Sequence, residues 1–291
     1  MQEYATGPAA RTELGDAEIT IVSDGTVNLP VDFIYSPVPA EERIALRTAF
    51  GQSLELHTMQ ANIMVIDIAG RRVMIDAGGG GKFQPSGGAL PASLHAAGIA
   101  PESIDLVIYT HLHPDHLWGA TDPENEALTF PDAAHVAPET EYAFWSQAGL
   151  ADAMPDDFTG WIARTTQAHL ARLEGRLRTV AVGEPILEGV HYVASPGHTP
   201  GHAAIVIARG DRTLVATGDV LTDPVAAFER PDWALGVDSD ADQSTATRCD
   251  MLARLAHERP RVFANHLPGP GLGHVARLDG GYRWVPGEWA V

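Results

Sequence analysis

The sequence contains little that would bind a negatively charged macromolecule or cross a membrane. Its 19 Lys+Arg stand against 38 Asp+Glu, which gives a formal net charge of −19 at pH 7, and Lys82 is the only lysine. Because an acidic surface repels nucleic acid and anionic lipid, we expect neither as a partner. No run of about 18 apolar residues is present, so the sequence predicts no membrane-spanning helix.

Cysteine is almost absent, since Cys249 is the only one in 291 residues. One cysteine excludes a disulfide framework and a zinc site built from thiolates. Residues 1–16 also lack a basic start followed by an apolar stretch, so no secretory signal is visible. We therefore expect a cytoplasmic protein; a longer precursor with a trimmed periplasmic export signal is the alternative.

Histidine, in contrast, is abundant, with 13 copies in the chain. It is the side chain most easily recruited to metals or to proton transfer near neutral pH. Hydrophobic residues make up 45% of the chain, enough for a large folded core. We expect one domain over residues 1–291, with an N-terminal arm at about 1–16.

Hydrophobic periodicity predicts two β-rich halves that each carry helices. The predicted strands cover residues 18–23, 62–68, 71–75, 105–109, 190–194, 203–208, 213–217 and 261–264. The predicted helices cover residues 89–97, 139–148, 161–177 and 244–257, the last with a Ser or Thr cap. Residues 224–242 are irregular and acidic, which favours an active-site loop or an interface segment. This order predicts an α+β fold in which two sheets pack face to face with helices outside, an αββα sandwich.

The most informative segment is Thr-His-Leu-His-Pro-Asp-His at residues 110–116, directly after a predicted buried strand. Alternation along an extended chain puts His111 and His113 on the same side. Pro114 then turns the chain, and Asp115 and His116 follow. Imidazole nitrogen and carboxylate oxygen at this spacing are suited to zinc or another first-row divalent ion.

This segment resembles the HxHxDH signature of the metallo-β-lactamase superfamily, and later segments match in order. His198 lies in the Gly/Pro-tight loop 195–202, Asp219 ends Thr-Gly-Asp at 217–219, and His266 follows the last predicted strand. The resemblance spans roughly residues 15 to 290. In this superfamily an aspartate at the position of Asp76 supports a metal-bound histidine, and we expect the glycine run after it to form a turn beside the metal site.

The resemblance implies two divalent metal ions, zinc or else manganese, cobalt or iron. It assigns His111, His113 and His198 to one ion, Asp115, His116 and His266 to the other, and Asp219 as the bridge. A hydroxide bridging the ions would attack an ester-type electrophile. Asp115 and Asp219 are thus the candidate catalytic residues, because Asp115 retains an oxygen that can take or steer a proton.

Flanking segments resemble the methyl parathion hydrolase group more closely. They are residues 130–133, 141–145, 238–240, 266–274 and 281–286. That group has an aromatic rim around a shallow apolar pocket, for which Phe83, Trp145 and Trp161 are candidates, with His274 as a further pocket residue. Core packing for the two tryptophans, and a structural role for His274, are the alternatives.

The resemblance implies a homodimeric hydrolase of small, neutral, apolar substrates, with an organophosphate triester or arylester expected first. The nearest alternative is an acyl-homoserine-type lactonase. A glyoxalase II-like thioesterase would need basic residues such as Arg261, Arg277 and Arg283, and a metal-binding protein without turnover is the remaining alternative. A tRNA-processing nuclease is disfavoured because the chain lacks a basic surface.

Overall fold

Fourteen strands form two seven-stranded sheets in this computed structural model, which describes residues 9–122 and 127–287. The strands of the first sheet, in spatial order, are β1 Ala10–Leu14, β2 Ala17–Pro30, β3 Leu56–Ile68, β4 Arg71–Ile75, β5 Leu106–Ile108, β6 Ala134–Pro138 and β7 Leu177–Val180. The second sheet contains β8 Pro185–Leu187, β9 Val190–Ala194, β10 Ala203–Arg209, β11 Arg212–Ala216, β12 Arg261–Phe263, β13 Leu272–Leu278 and β14 Gly281–Pro286.

Helices cover the outer faces of both sheets. They are α1 Val31–Ile34, α2 Ala40–Ala49, α3 Gly80–Phe83, α4 Leu90–Ala96, α5 Pro114–Leu117, α6 Glu139–Trp145, α7 Leu150–Ala153, α8 Asp157–Arg172, α9 Ala226–Glu229 and α10 Ala241–Glu258. Three short 3₁₀ helices are η1 Pro101–Ser103, η2 Trp118–Ala120 and η3 Gly218–Val220. No helix in the described ranges is both long enough and apolar enough to span a membrane.

The main core lies between the two sheets. Alternate strand residues point inward from both sides, for example Ile66 and Ile108 from the first sheet and Ile205 and Phe263 from the second, all fully buried. Among the described residues there are three further buried clusters: two lie under the helices, one against each outer face, and the third brings Ile34 and Tyr35 together with Trp233. The predicted αββα arrangement is therefore confirmed.

Strand direction explains why one edge of the sandwich collects polar side chains. In the first sheet β4 and β5 are parallel, so both end at the same edge. In the second sheet β9 and β11 are each antiparallel to β10 and therefore run the same way, and β12 is parallel to β11. The loops that follow these five strands consequently meet at one edge.

Both long helices begin earlier than their apolar spacing predicts. The Asp156 side chain accepts a hydrogen bond from Thr159 N at 2.9 Å, so α8 begins at Asp157 rather than at 161. Asp240 caps α10 in the same way through Gln243 N at 2.9 Å, in place of the predicted Ser or Thr. In each case a capping carboxylate satisfies a backbone donor of the first helical turn.

Several regions depart from the expected organisation, among them the end of the predicted helix 161–177, because α8 ends at Arg172 and Leu177 already belongs to β7. Within the predicted N-terminal arm, Ala10–Leu14 pairs with β2 as an edge strand, and residues 1–8 lie outside the described ranges. The β13–β14 hairpin carries no strong apolar alternation, since β14 has no buried residue, and it was not predicted.

Candidate metal centre

Seven side chains converge at the edge where the five strands end. They come from the loop after β5 (His111, His113), from α5 (Asp115, His116), from the loop after β9 (His198), from η3 after β11 (Asp219) and from the loop after β12 (His266). They form two groups, each with its ligand atoms within 4.8 Å of one another. The first, which we call the three-histidine group, contains His111, His113 and His198; the second, the aspartate group, contains Asp115, His116, Asp219 and His266.

Asp219 lies between the two groups. Its Oδ1 is 3.1 Å from Nε2 of both His116 and His266. Its Oδ2 is 3.2 Å from His198 Nε2 and 3.9 Å from His111 Nε2. One carboxylate therefore directs one oxygen to each group, which is the arrangement required of a bridging ligand.

The nitrogen atoms of the centre face one another too closely for neutral lone pairs. His113 Nδ1 is 2.9 Å from His198 Nε2, and the Nε2 atoms of His116 and His266 are 3.3 Å apart. Such pairs need a proton or a cation between them. His111 Nε2 is buried without a hydrogen-bond partner among the described residues. This donor set fits divalent cations.

Asp76 orients the histidines of the 110–116 segment. This fully buried carboxylate accepts from His116 Nδ1 at 2.9 Å and from Thr110 N at 2.8 Å. The Thr110 hydroxyl lies 3.0 Å from Asp76 Oδ2 and 3.1 Å from His111 Nδ1. Asp76 thus fixes His116 directly and His111 through Thr110, so that both Nε2 lone pairs face the centre, as the resemblance implies.

Outer partners also hold the two histidines of the second half. His198 Nδ1 donates to Asp238 Oδ1 at 3.0 Å, and His266 Nδ1 donates to the Gln60 carbonyl at 2.6 Å. Asp238 lies in the irregular 224–242 segment, which therefore reaches the site as predicted. The sequence did not predict either hydrogen bond, because both depend on how the loops fold.

The electrostatics of the centre favour positive charge. Burial lowers the pKa of His266 and His198, but Asp219 and the neighbouring carboxylates outweigh it and raise these values to about 10 and about 9. Burial raises the pKa of Asp115, whereas His116 and His266 bring it down to about 2. Protons and divalent cations thus compete for the same lone pairs.

His202 supports the centre from outside it. Its Nε2 accepts from Asp219 N at 3.0 Å, so its Nδ1 carries the proton that it donates to the Ser195 carbonyl at 3.0 Å. Burial, and then the neighbouring His198, lower the pKa of His202 to about 3. A neutral His202 therefore fixes the backbone of the bridging aspartate.

Phe83 and Trp161 belong to a row of aromatic rings that leads away from Asp115. A Cβ placed on Gly79 would lie 3.4 Å from Phe83 Cβ and 3.5 Å from Asp115 Cα, so these two residues flank Gly79. We call the rings the aromatic row: Phe83, Trp118, Trp161, Phe158 and Phe33, with successive ring centroids 5.7, 5.1, 5.9 and 6.4 Å apart. Trp161 is 37% exposed and Phe158 46%. The glycine run before Phe83 lies beside the candidate ligands as predicted, but only its first part is irregular, since Gly80 and Gly81 begin α3.

A cavity of about 270 Å³ borders the aromatic row. Its lining includes Trp118, Lys82 and Arg164, but none of the seven candidate ligands. The cavity therefore meets the row only at Trp118 and is not the metal centre.

Trp145 and His274 are placed differently from the predicted rim. Trp145 is only 3% exposed; its ring packs edge-on against His113 at 5.7 Å, and its Nε1 donates to Glu141. His274 bonds through Nδ1 to the Pro260 carbonyl before β12, whereas His266 follows the end of that strand. Trp145 thus packs behind a candidate ligand, and the structure does not bring His274 to the centre.

Comparison with known proteins agrees with this arrangement. The family model described as the metallo-beta-lactamase superfamily matches residues 58–259. Ribonuclease TTHA0252 from Thermus thermophilus is 32% identical over 189 residues; the match covers 60% of this chain and only 39% of the ribonuclease.

Two solved structures are similar over nearly the whole chain. AidC, a dizinc quorum-quenching lactonase in complex with a product, has a TM-score of 0.90 and 27% identity, covering 98% of this chain and 99% of its own. The hydrolase AbOPH of the beta lactamase superfamily has a TM-score of 0.88 and 26% identity, with the same coverage. The family match covers well over half of the sequence and contains most of the candidate ligands; the chain belongs to the metallo-beta-lactamase superfamily.

Proposed function

We propose that this protein is a two-metal hydrolase of small, neutral esters, with lactones that carry an apolar acyl group as its principal substrates. The observation that carries the proposal is Asp219, whose two oxygens lie within 3.1 to 3.2 Å of histidines from both ligand groups. Two divalent ions held there would polarise an ester oxygen and activate a water molecule for attack.

Four carboxylates of this protein would position the ions and transfer the proton. Asp219 would hold both ions at a fixed separation, while Asp76 and Asp238 keep histidine Nε2 atoms directed at them. Asp115 Oδ2 faces His266 and His116 at 3.3 and 3.6 Å. Its Oδ1 is then the atom that can accept the proton of the attacking water and return it to the leaving alkoxide.

The aromatic row supports an apolar substituent on the substrate. Its outer rings, Trp161, Phe158 and Phe33, are partly exposed and rest on the buried Trp118, so an acyl chain of a bound ester has apolar ring faces on which to lie. The lactonase AidC, similar over 98% of this chain, supports a lactone in particular.

Organophosphate triesters and arylesters are the second candidate class. The exposed ring of Trp161 offers a face on which an aromatic leaving group can stack, and a triester is as uncharged as a lactone. We do not propose a nucleic-acid substrate, because the ribonuclease match covers only 39% of that protein and this chain carries a net charge of −19.

The test is a metal count combined with a substrate panel. The purified protein should bind two divalent ions per chain and show a higher kcat/KM for N-hexanoyl homoserine lactone than for phenyl acetate, diethyl paraoxon or a cephalosporin. A preference for paraoxon would transfer the proposal to the second class. Fewer than one ion per chain after reconstitution, or no turnover of any substrate, would refute it. Light scattering of the same preparation tests the homodimer that we propose from the superfamily resemblance.

A further inference from the structure

Glu141 is a buried carboxylate that none of the roles above uses. It lies in the first turn of α6, is 0% exposed, and forms no ion pair among the residues that the structure describes. An ionised or polar group in such a place costs free energy unless hydrogen bonds compensate it. Its partners therefore indicate why it is there.

One oxygen of Glu141 holds the first ligand loop. Oε1 accepts from Leu112 N at 3.0 Å, and Leu112 is the residue between His111 and His113. The same oxygen accepts from Trp145 Nε1 at 2.7 Å, and the Trp145 ring packs against His113. These two contacts fix the backbone between His111 and His113 and, through the Trp145 ring, one side of the His113 ring.

The other oxygen holds the second ligand loop. Oε2 accepts from the Thr199 hydroxyl at 2.7 Å and from Gly201 N at 3.0 Å, both just after His198. Gly201 also lies so close to α6 that a Cβ there would be 2.0 Å from Glu141 N. The loop is therefore packed directly against the start of the helix, and only glycine fits.

All four partners are donors, two on each oxygen. An ionised carboxylate accepts hydrogen bonds on both oxygens. A protonated acid would present an O–H, and a glutamine amide its NH₂ group, to one pair of donors. Leu112 lies between His111 and His113 and Thr199 follows His198, whereas none of the four donors is next in sequence to Asp115, His116, Asp219 or His266. The clamp thus acts on the three-histidine group.

We propose that Glu141 is a positioning residue that joins the two ligand loops of the three-histidine group and sets its affinity for a divalent ion. The inference rests on the proposed metal centre but not on the substrate class. It predicts that loss of the carboxylate weakens one of the two metal sites and spares the other.

The experiment is a Co²⁺ titration of Glu141→Gln, followed by the visible absorption of the ion and by competition with a chelator. Glu139→Gln, an exposed residue of the same helix, is the matched control. Variants His198→Ala and His266→Ala supply the reference spectra for damage to one group or the other. Affinity at the three-histidine group should fall by about 10–100-fold, the range for loss of an outer partner, while the aspartate group stays within about threefold of wild type.

Equal weakening of both sites, or no change at either, would overturn the inference. If wild type itself binds fewer than two ions, the proposed function fails instead, so the two failures are distinguishable. Should Glu141→Gln not fold by circular dichroism, Thr199→Val removes one donor and keeps the carboxylate. It should lower affinity at the same group by a smaller factor, and an unchanged affinity there would also refute the proposal.

Discussion

Replacement of Asp76 by asparagine tests whether the outer carboxylates control metal binding. Asp76 adopts a left-handed backbone conformation with φ +60°, which asparagine also tolerates, so the substitution should leave the backbone in place. The carboxylate serves Thr110 N on one oxygen and His116 Nδ1 on the other. An amide has one oxygen, so one of these donors must lose its acceptor.

The expected magnitude follows from that lost contact. If the amide NH₂ faces His116, the imidazole must carry its proton on Nε2, and the lone pair that faces the centre is lost. Loss of a hydrogen bond to a charged group costs about 1.5–3 kcal/mol, which corresponds to about a 10–150-fold change in an equilibrium constant. Loss of an outer partner of a metal ligand has a similar range, about 10–100-fold. We therefore expect the aspartate group to bind Zn²⁺ about 10–100-fold more weakly.

Chelator competition at pH 7.5 measures this affinity, with Asp105→Asn as the matched control. Asp105 likewise accepts a backbone N–H, from Arg72 at 2.7 Å, but it precedes β5 and lies at the end away from the ligands. Asp105→Asn should bind Zn²⁺ as wild type does. A Zn²⁺ affinity of Asp76→Asn within threefold of wild type would refute the reasoning about the outer carboxylate.

Three further predictions concern the ligands, pH and the substrate. Asp219→Ala should abolish the two-ion stoichiometry and hydrolysis together, as measured by elemental analysis and kcat/KM; retention of two ions would show that Asp219 is not the bridge. Zn²⁺ affinity should rise with pH as protons leave His198 (pKa about 9) and His266 (pKa about 10), and it should level off above pH 10. A flat affinity profile between pH 6 and 9 in chelator competition would contradict this. Trp161→Ala should raise KM for long-chain acyl lactones by about 2–10-fold with little change in kcat, because one aromatic contact contributes about 0.5–1.5 kcal/mol. The same KM for short and long acyl chains in wild type and variant would argue against binding of the acyl chain at the aromatic row.

The metal centre was the part of the molecule most accessible from sequence. His111 to His116 fall within six consecutive positions, and His198, Asp219 and His266 each follow a strand with a clear apolar pattern. The order of these segments carries the resemblance to the superfamily, and that resemblance predicted both ligand groups.

Contacts that depend on tertiary packing were much harder to predict. Asp156 and Asp240 cap their helices from positions without an apolar signal, so the predicted starts were late by several residues. Trp145 follows a helical pattern that fits a rim and a core equally well, and only its packing against His113 decides between them. Glu141 has no sequence pattern that reveals its four partners, because they come from two distant loops.

The scarcity of lysine has a practical consequence at the aromatic row. Lys82 is exposed in α3, directly before Phe83, and it lines the cavity beside Trp118. It is also the only ε-amine of the chain. An amine-directed fluorophore should therefore attach to one side chain only, near tryptophan rings that can quench it. Besides the α-amino group, Lys82 is thus the one amine at which the native protein can carry an optical reporter of ligand binding, without an engineered cysteine.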